Sequence, residues 1–234
     1  MSCVCIIPAR GGSKRIRNKN IRSFSGRPII EWSIEAALEA DLFARVVVST
    51  DSEEIAKVAR GVGAEVPFFR PAELSDDYTG TIPVVKHGIE ELEKTGEAIS
   101  SVCCLYATAP FVTAERLAEA KGMLDDDPET QFVFPVSSFP SPIFRGVELD
   151  PEGRVSMIWP EKEQVRSQDL PDVYHDSGQF YWGLRDAFVS QLSVFSPHSK
   201  GMVIPRKEVQ DIDTEEDWLS AEALFNVLKL NEAK

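Results

Sequence analysis

Apolar and polar positions along the chain alternate in blocks that read as strand, helix, strand, helix. Residues 4–8, 45–50 (RVVVST) and 101–106 are short apolar runs of the kind that form strands buried on both faces. Between and after them the apolar spacing changes to that of helices. Residues 28–40 carry Ile30, Ile34, Ala37 and Leu38 on one stripe, and Asp51 or Ser52 opens a second helix with Ile55, Val58, Ala59 and Val62, stopped near Gly63. Ile82, Val85, Ile89 and Leu92 mark a third helix, and residues 113–124 a fourth. This alternation predicts a parallel sheet covered on both faces, with ligands at the carboxyl ends of its strands.

The rhythm breaks after Val136. Residues 137–183 are rich in Pro, Ser and aromatics, with a DPEG turn at 150–153 between extended runs. This span is expected to be a β-rich insertion used as an arm or dimer contact. The α/β pattern then resumes with a strand at 202–205. Thr214-x-x-Asp217 forms a capping box for a last helix carrying Trp218, Ala221, Phe225 and Leu228. Trp32 and Trp218 are expected in the core, Trp159 and Trp182 against the insertion or a partner subunit, and His87 and His198 toward solvent. The 234 residues read as one domain.

A formal net charge of -13 and a pI near 4.8 argue against a broad nucleic-acid surface. No apolar run reaches the ~20 residues of a membrane span. The short apolar start followed by charge is not a signal peptide, so the expected location is the cytoplasm. Cys3, Cys5, Cys103 and Cys104 fall inside strand-like runs and read as reduced, buried thiols, not as a zinc site.

Against this acidic background the opening of the chain stands apart. No Asp or Glu occurs before Glu31, while Arg10, Lys14, Arg15, Arg17, Lys19 and Arg22 crowd the segment ARGGSKRIRNKN and its flank. It lies in the first strand-to-helix turn, where paired glycines let backbone N–H groups approach phosphate oxygens and fixed cations stand beside them. Neither the G-x-x-x-x-G-K-[ST] nor the G-x-G-x-x-G spacing is present. The bland alternative is a solvated basic turn.

Asp211 and Asp213, two apart in VQDIDTEEDW, present both carboxylates to one side of an extended segment. That suits Mg²⁺, which takes one or two carboxylates and leaves its other positions to water and phosphate. The competing reading is that Asp213 caps the last helix. Arg70 sits in a Pro-bounded loop, and YATAPF ends the strand at 101–106 with small residues that leave room for a ligand. Arg166, Gln168, His175, Asp176 and Gln179 form a polar run flanked by aromatics that could line a polyhydroxylated ligand.

IIPARGGSKRIRNKN, RPAEL, the YATAP strand end and QDIDTEEDW, in that order, resemble the acylneuraminate cytidylyltransferases, or CMP-sialic acid synthetases, over nearly the whole chain. Within that family FPSPIFR, RSQDLP and YHDSGQFYWG look like the pseudaminic acid branch, where sialic acid enzymes more often carry an Asn-Gly-Ala type motif. Tyr106 stands where sialic acid enzymes commonly have Gln, and Arg17 where many relatives have Pro.

The resemblance implies a Rossmann-like, three-layer α/β nucleotidyltransferase and the reaction of CTP with a nine-carbon α-keto sugar acid. It implies that Arg10, Gly11, Gly12, Ser13 and Lys14 hold the CTP phosphates. Asn20 and Arg70 would contact cytosine, and Thr81 and Thr108 would lie along the nucleotide. Asp211 and Asp213 would bind Mg²⁺ (or Mn²⁺), with Arg10 and Lys14 sharing the catalytic work. Tyr106, Arg145, Arg166, Gln168, His175 and Gln179 would face the sugar acid, in a homodimer with no nucleic-acid or membrane partner. The alternatives are an N-acetylneuraminic, legionaminic or shorter octulosonic acid as substrate, a nucleotide-binding regulatory module, and a dinucleotide oxidoreductase, the last disfavoured by the missing glycine fingerprint.

Overall fold

A seven-stranded sheet carries the structure, a computed structural model that describes residues 2–232. In chain order the elements are β1 (Ser2–Pro8), the small hairpin β2 (Ser23–Phe24) and β3 (Arg27–Pro28), α1 (Ile29–Glu39), β4 (Arg45–Ser49), α2 (Glu53–Gly61), α3 (Thr81–Glu93), β5 (Ile99–Leu105), α4 (Ala114–Asp125) and β6 (Phe132–Ser138). The hairpin β7 (Val147–Leu149) and β8 (Val155–Met157) follows, then β9 (Tyr174–Asp176), β10 (Phe180–Leu184), α5 (Arg185–Val189), β11 (Ser199–Val203) and α6 (Glu215–Glu232).

The sheet order is β11-β6-β10-β5-β1-β4, with β9 pairing β6. β4, β1, β5, β6 and β11 run in one direction, while β10 and β9 oppose them. β1 lies between β5 and the edge strand β4, and its side chains from Val4 to Ile7 are all buried because helices cover both faces of the sheet there. One core packs α1, α2 and α4 on one face, around Ile34, Ala56 and Leu117. The other face is covered by α3 and α5 through Val85, Ile89 and Phe188. A third cluster joins α6 to the β2–β3 hairpin, where Phe24 meets Trp218 and Phe225 edge-on at 5.5 and 5.4 Å.

The strands at 4–8, 45–50 and 101–106 and the predicted helices all form. The β2–β3 hairpin and β6 were not foreseen, nor that β9 and β10 of the β-rich 137–183 span join the central sheet. That span is therefore not wholly peripheral. Its last part supplies β9 and β10 to the central sheet, and only the stretch around the β7–β8 hairpin stands outside it. The final strand also begins earlier than the predicted 202–205. Trp182, expected against the insertion or a partner, is fully buried on β10, stacked on Phe43 at 5.1 Å and donating Nε1–H to Leu117 O. Trp218 is buried as expected, and Trp159 packs against Phe144 beside the hairpin.

His87 and His198 are half-buried rather than solvent-facing. His87 lies edge-on to Phe68 at 5.3 Å, and His198 Nε2 is 2.8 Å from Ser193 O. Cys5, Cys103 and Cys104 are buried free thiols on neighbouring strands, and burial pushes the thiols of Cys103 and Cys104 well up. Among the described residues no group of three or more His, Cys, Asp or Glu could hold a metal, and no helix is long and apolar enough to cross a membrane.

Gly183 is where β10 allows no side chain. A Cβ there would stand 2.5 Å from Phe132 and 2.7 Å from Phe188. Gly183→Ala is expected to destabilise the fold by about 1–3 kcal/mol through overpacking. A denaturant midpoint that falls without a change in slope is the expected readout; an unmoved midpoint would show that the aromatic layer yields.

Candidate active site

The basic segment leaves β1 at the carboxyl edge of the sheet and is tied down at four points. Gly11 N–H donates to Asp51 Oδ1 at 2.8 Å, and a Cβ on Gly11 would press Ser52 Cβ at 3.1 Å, so this close approach needs glycine. Ile16 is fully buried in the α6 cluster. Asn18 takes a left-handed conformation, φ 52°, to turn the chain. Asn20 Nδ2 then reaches back to Arg10 O at 2.9 Å. A tethered loop of this kind fixes where its cations point.

Those cations converge on a cavity of about 500 Å³, within the range of small-molecule sites. Arg10, Ser13, Lys14 and Asn20 line it from the loop, Arg70 from the segment after β4, Thr81 from the start of α3, Tyr106 and Thr108 from the end of β5, and Asp213 from the approach to α6. Nine of the residues singled out in the sequence are thus brought to one cavity.

Arg70 is 6% exposed, and its Nε and Nη2 have no hydrogen-bond partner among the described residues. Burial pulls its guanidinium below the usual range, an effect only partly offset by Asp51. Buried donors are almost always paired in proteins, so an unpaired set bordering a cavity marks a ligand position. Tyr106 Oη lies 3.1 Å from Thr81 Oγ1, and burial pushes its phenol up to about 12. Its ring meets Tyr181 at 5.8 Å. Tyr181 donates its hydroxyl to Asp176, and burial holds that phenol far above the usual range as well. Both tyrosines are neutral hydrogen-bonding groups at any working pH.

A second cavity of about 420 Å³ opens beside the carboxyl ends of β6 and β9, lined among others by Ser137, His175, Asp176, Ser177, Arg206 and Asp211. Asp211 and Asp213 do not face one cavity: Asp213 borders the first and Asp211 the second, with Ile212 buried between them. Their charges still reach each other. Partial desolvation, then the charge of Asp213, raises the Asp211 carboxyl above the usual range. Asp213 pairs with Arg15 at 2.7 Å and Lys19 at 3.7 Å, and burial lowers Lys19 against the pull of both aspartates. The helix cap is Thr214, whose Oγ1 accepts from Asp217 N while Asp217 Oδ2 accepts from Thr214 N, so Asp213 is not the capping residue.

The remaining residues lie elsewhere. Gln179 is buried and donates to Glu208 O. Arg145 holds the carbonyls of Lys162, Glu163 and Val165, Arg166 pairs with Asp169 at 2.7 Å, and Gln168 is exposed near it. Gly12 lies in the open part of the loop, with nothing near a would-be Cβ.

Asp77 was missed. It bonds Arg10 Nη1 at 2.6 Å with one oxygen and pairs with Lys14 through the other, and those two cations hold its carboxyl below the usual range. The only signal was the SDD triplet following RPAEL. Arg15 and Lys19 were counted in the basic window but given no role.

A parallel-sheet edge with a tethered basic loop, an orphaned arginine and two adjoining polar cavities defines an enzyme that handles a phosphorylated substrate. Residues 4–229 match the family model described as cytidylyltransferase, and the chain belongs to that family of nucleotidyltransferases. It is 44% identical over 227 residues to the pseudaminic acid cytidylyltransferase of Campylobacter jejuni subsp. jejuni serotype O:2, covering 97% of each chain. It is 32% identical, again over 97% of each, to the CMP-N,N'-diacetyllegionaminic acid synthase of the same organism. Among solved structures a CMP:2-keto-3-deoxy-manno-octonic acid synthetase complexed with CTP shares the fold, with a TM-score of 0.68 at 17% identity over 97% of this chain and 99% of that one.

Proposed function

We propose that the chain transfers the CMP group of CTP to pseudaminic acid, releasing pyrophosphate. The observation that carries this reading is the convergence of Arg10, Lys14 and the unpaired Arg70 on a cavity that adjoins a second, polar one at Asp211 and Asp213. The sequence similarity to the Campylobacter enzyme supports the choice of sugar, as does the YHDSGQFYWG segment, whose His175, Asp176 and Ser177 line the second cavity.

CTP fits the first cavity chemically. Arg10 and Lys14 neutralise the phosphates, Ser13 lies beside them, and Gly11 serves the shape of the loop through its bond to Asp51, while Gly12 stays outside the lining. Cytosine offers an amino donor on one edge and a carbonyl acceptor on the other. Asn20, its amide oriented by the bond to Arg10 O, presents an acceptor, and Arg70 presents donors. Thr81 and Thr108 border the same space. The sugar acid occupies the second cavity beside His175, with Tyr106 at the junction and Gln179 behind it.

Two carboxylates near enough to interact, one raised by burial and then by the charge of the other, suit a divalent cation that shares its coordination with substrate oxygens. Asp211 and Asp213 would hold Mg²⁺ or Mn²⁺, which supplies charge neutralisation between two anionic substrates. The anomeric hydroxyl attacks the α-phosphorus: a new O–P bond forms, the hydroxyl proton passes to solvent, the bond to the β-phosphate oxygen breaks, and pyrophosphate leaves in line. Positioning and preorganised charge from Arg10 and Lys14 carry the chain's share of catalysis.

Arg145, Arg166 and Gln168 sit near a hairpin whose Val147, Leu149 and Val155 are 48%, 67% and 65% exposed. That apolar face supports its use as the contact of a homodimer. The test of function is pyrophosphate release with CTP and Mg²⁺ on pseudaminic, N,N'-diacetyllegionaminic and N-acetylneuraminic acids. Fastest turnover with pseudaminic acid is expected; preference for another acid would keep the reaction and replace the sugar, and silence with all three would overturn both.

A further inference from the structure

The substrate reading requires the second cavity to accept a carboxylate, yet two of its walls are acidic. Asp176 and Asp211 both line it. Asp176 is already satisfied: one oxygen accepts from Gly178 N at 3.0 Å and the other from Tyr181. Asp211 feels the charges of Asp213 and Lys19, which line the first cavity. His175 holds its Nδ1 at 2.8 Å from Asp176 O. An anion entering here needs a fixed positive charge, and among the described residues lining the cavity only Arg206 supplies one.

Two other arginines were expected to face the sugar, and each is committed. Arg145 gives its guanidinium to three backbone carbonyls, and Arg166 is paired with Asp169. Arg206, on the turn after β11, makes no ion pair among the described residues, and its guanidinium's one hydrogen bond, to Phe139 O, is stretched to 3.5 Å. Its planar fork of donors matches a carboxylate with two parallel bonds. Ser177 adds a second, independent sign of a ligand. It is 3% exposed, it borders the same cavity, and its Oγ has no partner among the described residues.

We propose that Arg206 is the residue that reads the carboxylate of the sugar acid, with Ser177 Oγ completing the pocket, so that this cavity selects acidic over neutral sugars. The inference rests on the functional reading above and goes beyond it by assigning the recognition group.

The test compares the parent chain with Arg206→Met and Arg206→Lys, using CTP and Mg²⁺ and whichever of the three sugar acids the parent turns over fastest. Losing a charge-assisted pair is expected to raise KM for the acid about ten- to hundredfold in Arg206→Met. KM for CTP stays unchanged, and Arg206→Lys recovers part of the loss. With the carboxamide analogue of the same sugar, the gap between parent and Arg206→Met closes, which a merely structural arginine would not produce. An unchanged KM for the acid, or an equal penalty on acid and amide, overturns the assignment while leaving the reaction standing. A parent chain silent with every acid overturns both the assignment and the functional reading.

Discussion

Lys14→Ala is expected to slow pyrophosphate release by roughly 10²–10³-fold, the usual cost of removing one preorganised charge from a site where charge develops. Its side chain is 78% exposed and engages only Asp77, an exposed pair that adds little to stability, so the substitution leaves the fold and its unfolding midpoint nearly unchanged. The loop is held by Gly11, Ile16 and Asn20, not by Lys14, so the other cations keep their places. On the proposed reading, what disappears is one positive charge beside the triphosphate. Single-turnover rates at saturating CTP measure the loss directly, and a rate equal to the parent's would remove Lys14 from the catalytic machinery.

Asp211→Ala is expected to lose activity on the same order, roughly 10²–10³-fold, but for a different reason that a metal titration separates. With one carboxylate gone, Asp213 remains tied to Arg15 and Lys19, and dication affinity falls. Raising Mg²⁺ or Mn²⁺ should therefore restore part of the rate in Asp211→Ala and none in Lys14→Ala. The pH dependence has a definite sign. Because the Asp211 carboxyl is raised, its protonated form is the one the fold favours, so acidification through that raised value eases the folded chain. Protons and a dication then compete for the same carboxylate, so at limiting Mg²⁺ the acid-side loss of activity in the parent should move to lower pH as Mg²⁺ is raised. Equal metal dependence in the parent and Asp211→Ala would exclude Asp211 as a ligand.

The parts of the fold that were legible are those whose own sequence decides them. The β-branched run at 45–50 can only be comfortable as a buried strand, and the Thr214–Asp217 cap is complete within four residues. β6 and β10 were not legible for a physical reason. β6 contains Pro135, which has no N–H for a ladder and so argues locally against a central strand, yet β6 pairs with β9, β10 and β11. β10 runs antiparallel between β5 and β6, a position set by sheet assembly and not by any local period.

The site divides in the same way. The basic loop announced itself by composition, whereas Asp77 lies 67 residues from the Arg10 it engages and carries no mark of that partnership. Nor does sequence reveal that Arg145 has given its donors to backbone carbonyls, or that Asp211 and Asp213 open into different cavities.

On the reading proposed above, in which the basic loop holds the CTP phosphates, the pairing of Asp77 with Arg10 and Lys14 gives that loop its own counter-ion. Nucleotide entry is then an exchange of anions inside the protein: a triphosphate displaces a tethered carboxylate, and few mobile ions are released to solvent. Dissolved salt competes poorly with a group held in place by the chain, so nucleotide affinity should fall more gently with ionic strength than bare cations would dictate. The departing pyrophosphate meets the same group in reverse, since the carboxylate that yielded on entry stands ready to reclaim both cations and speed the product's exit.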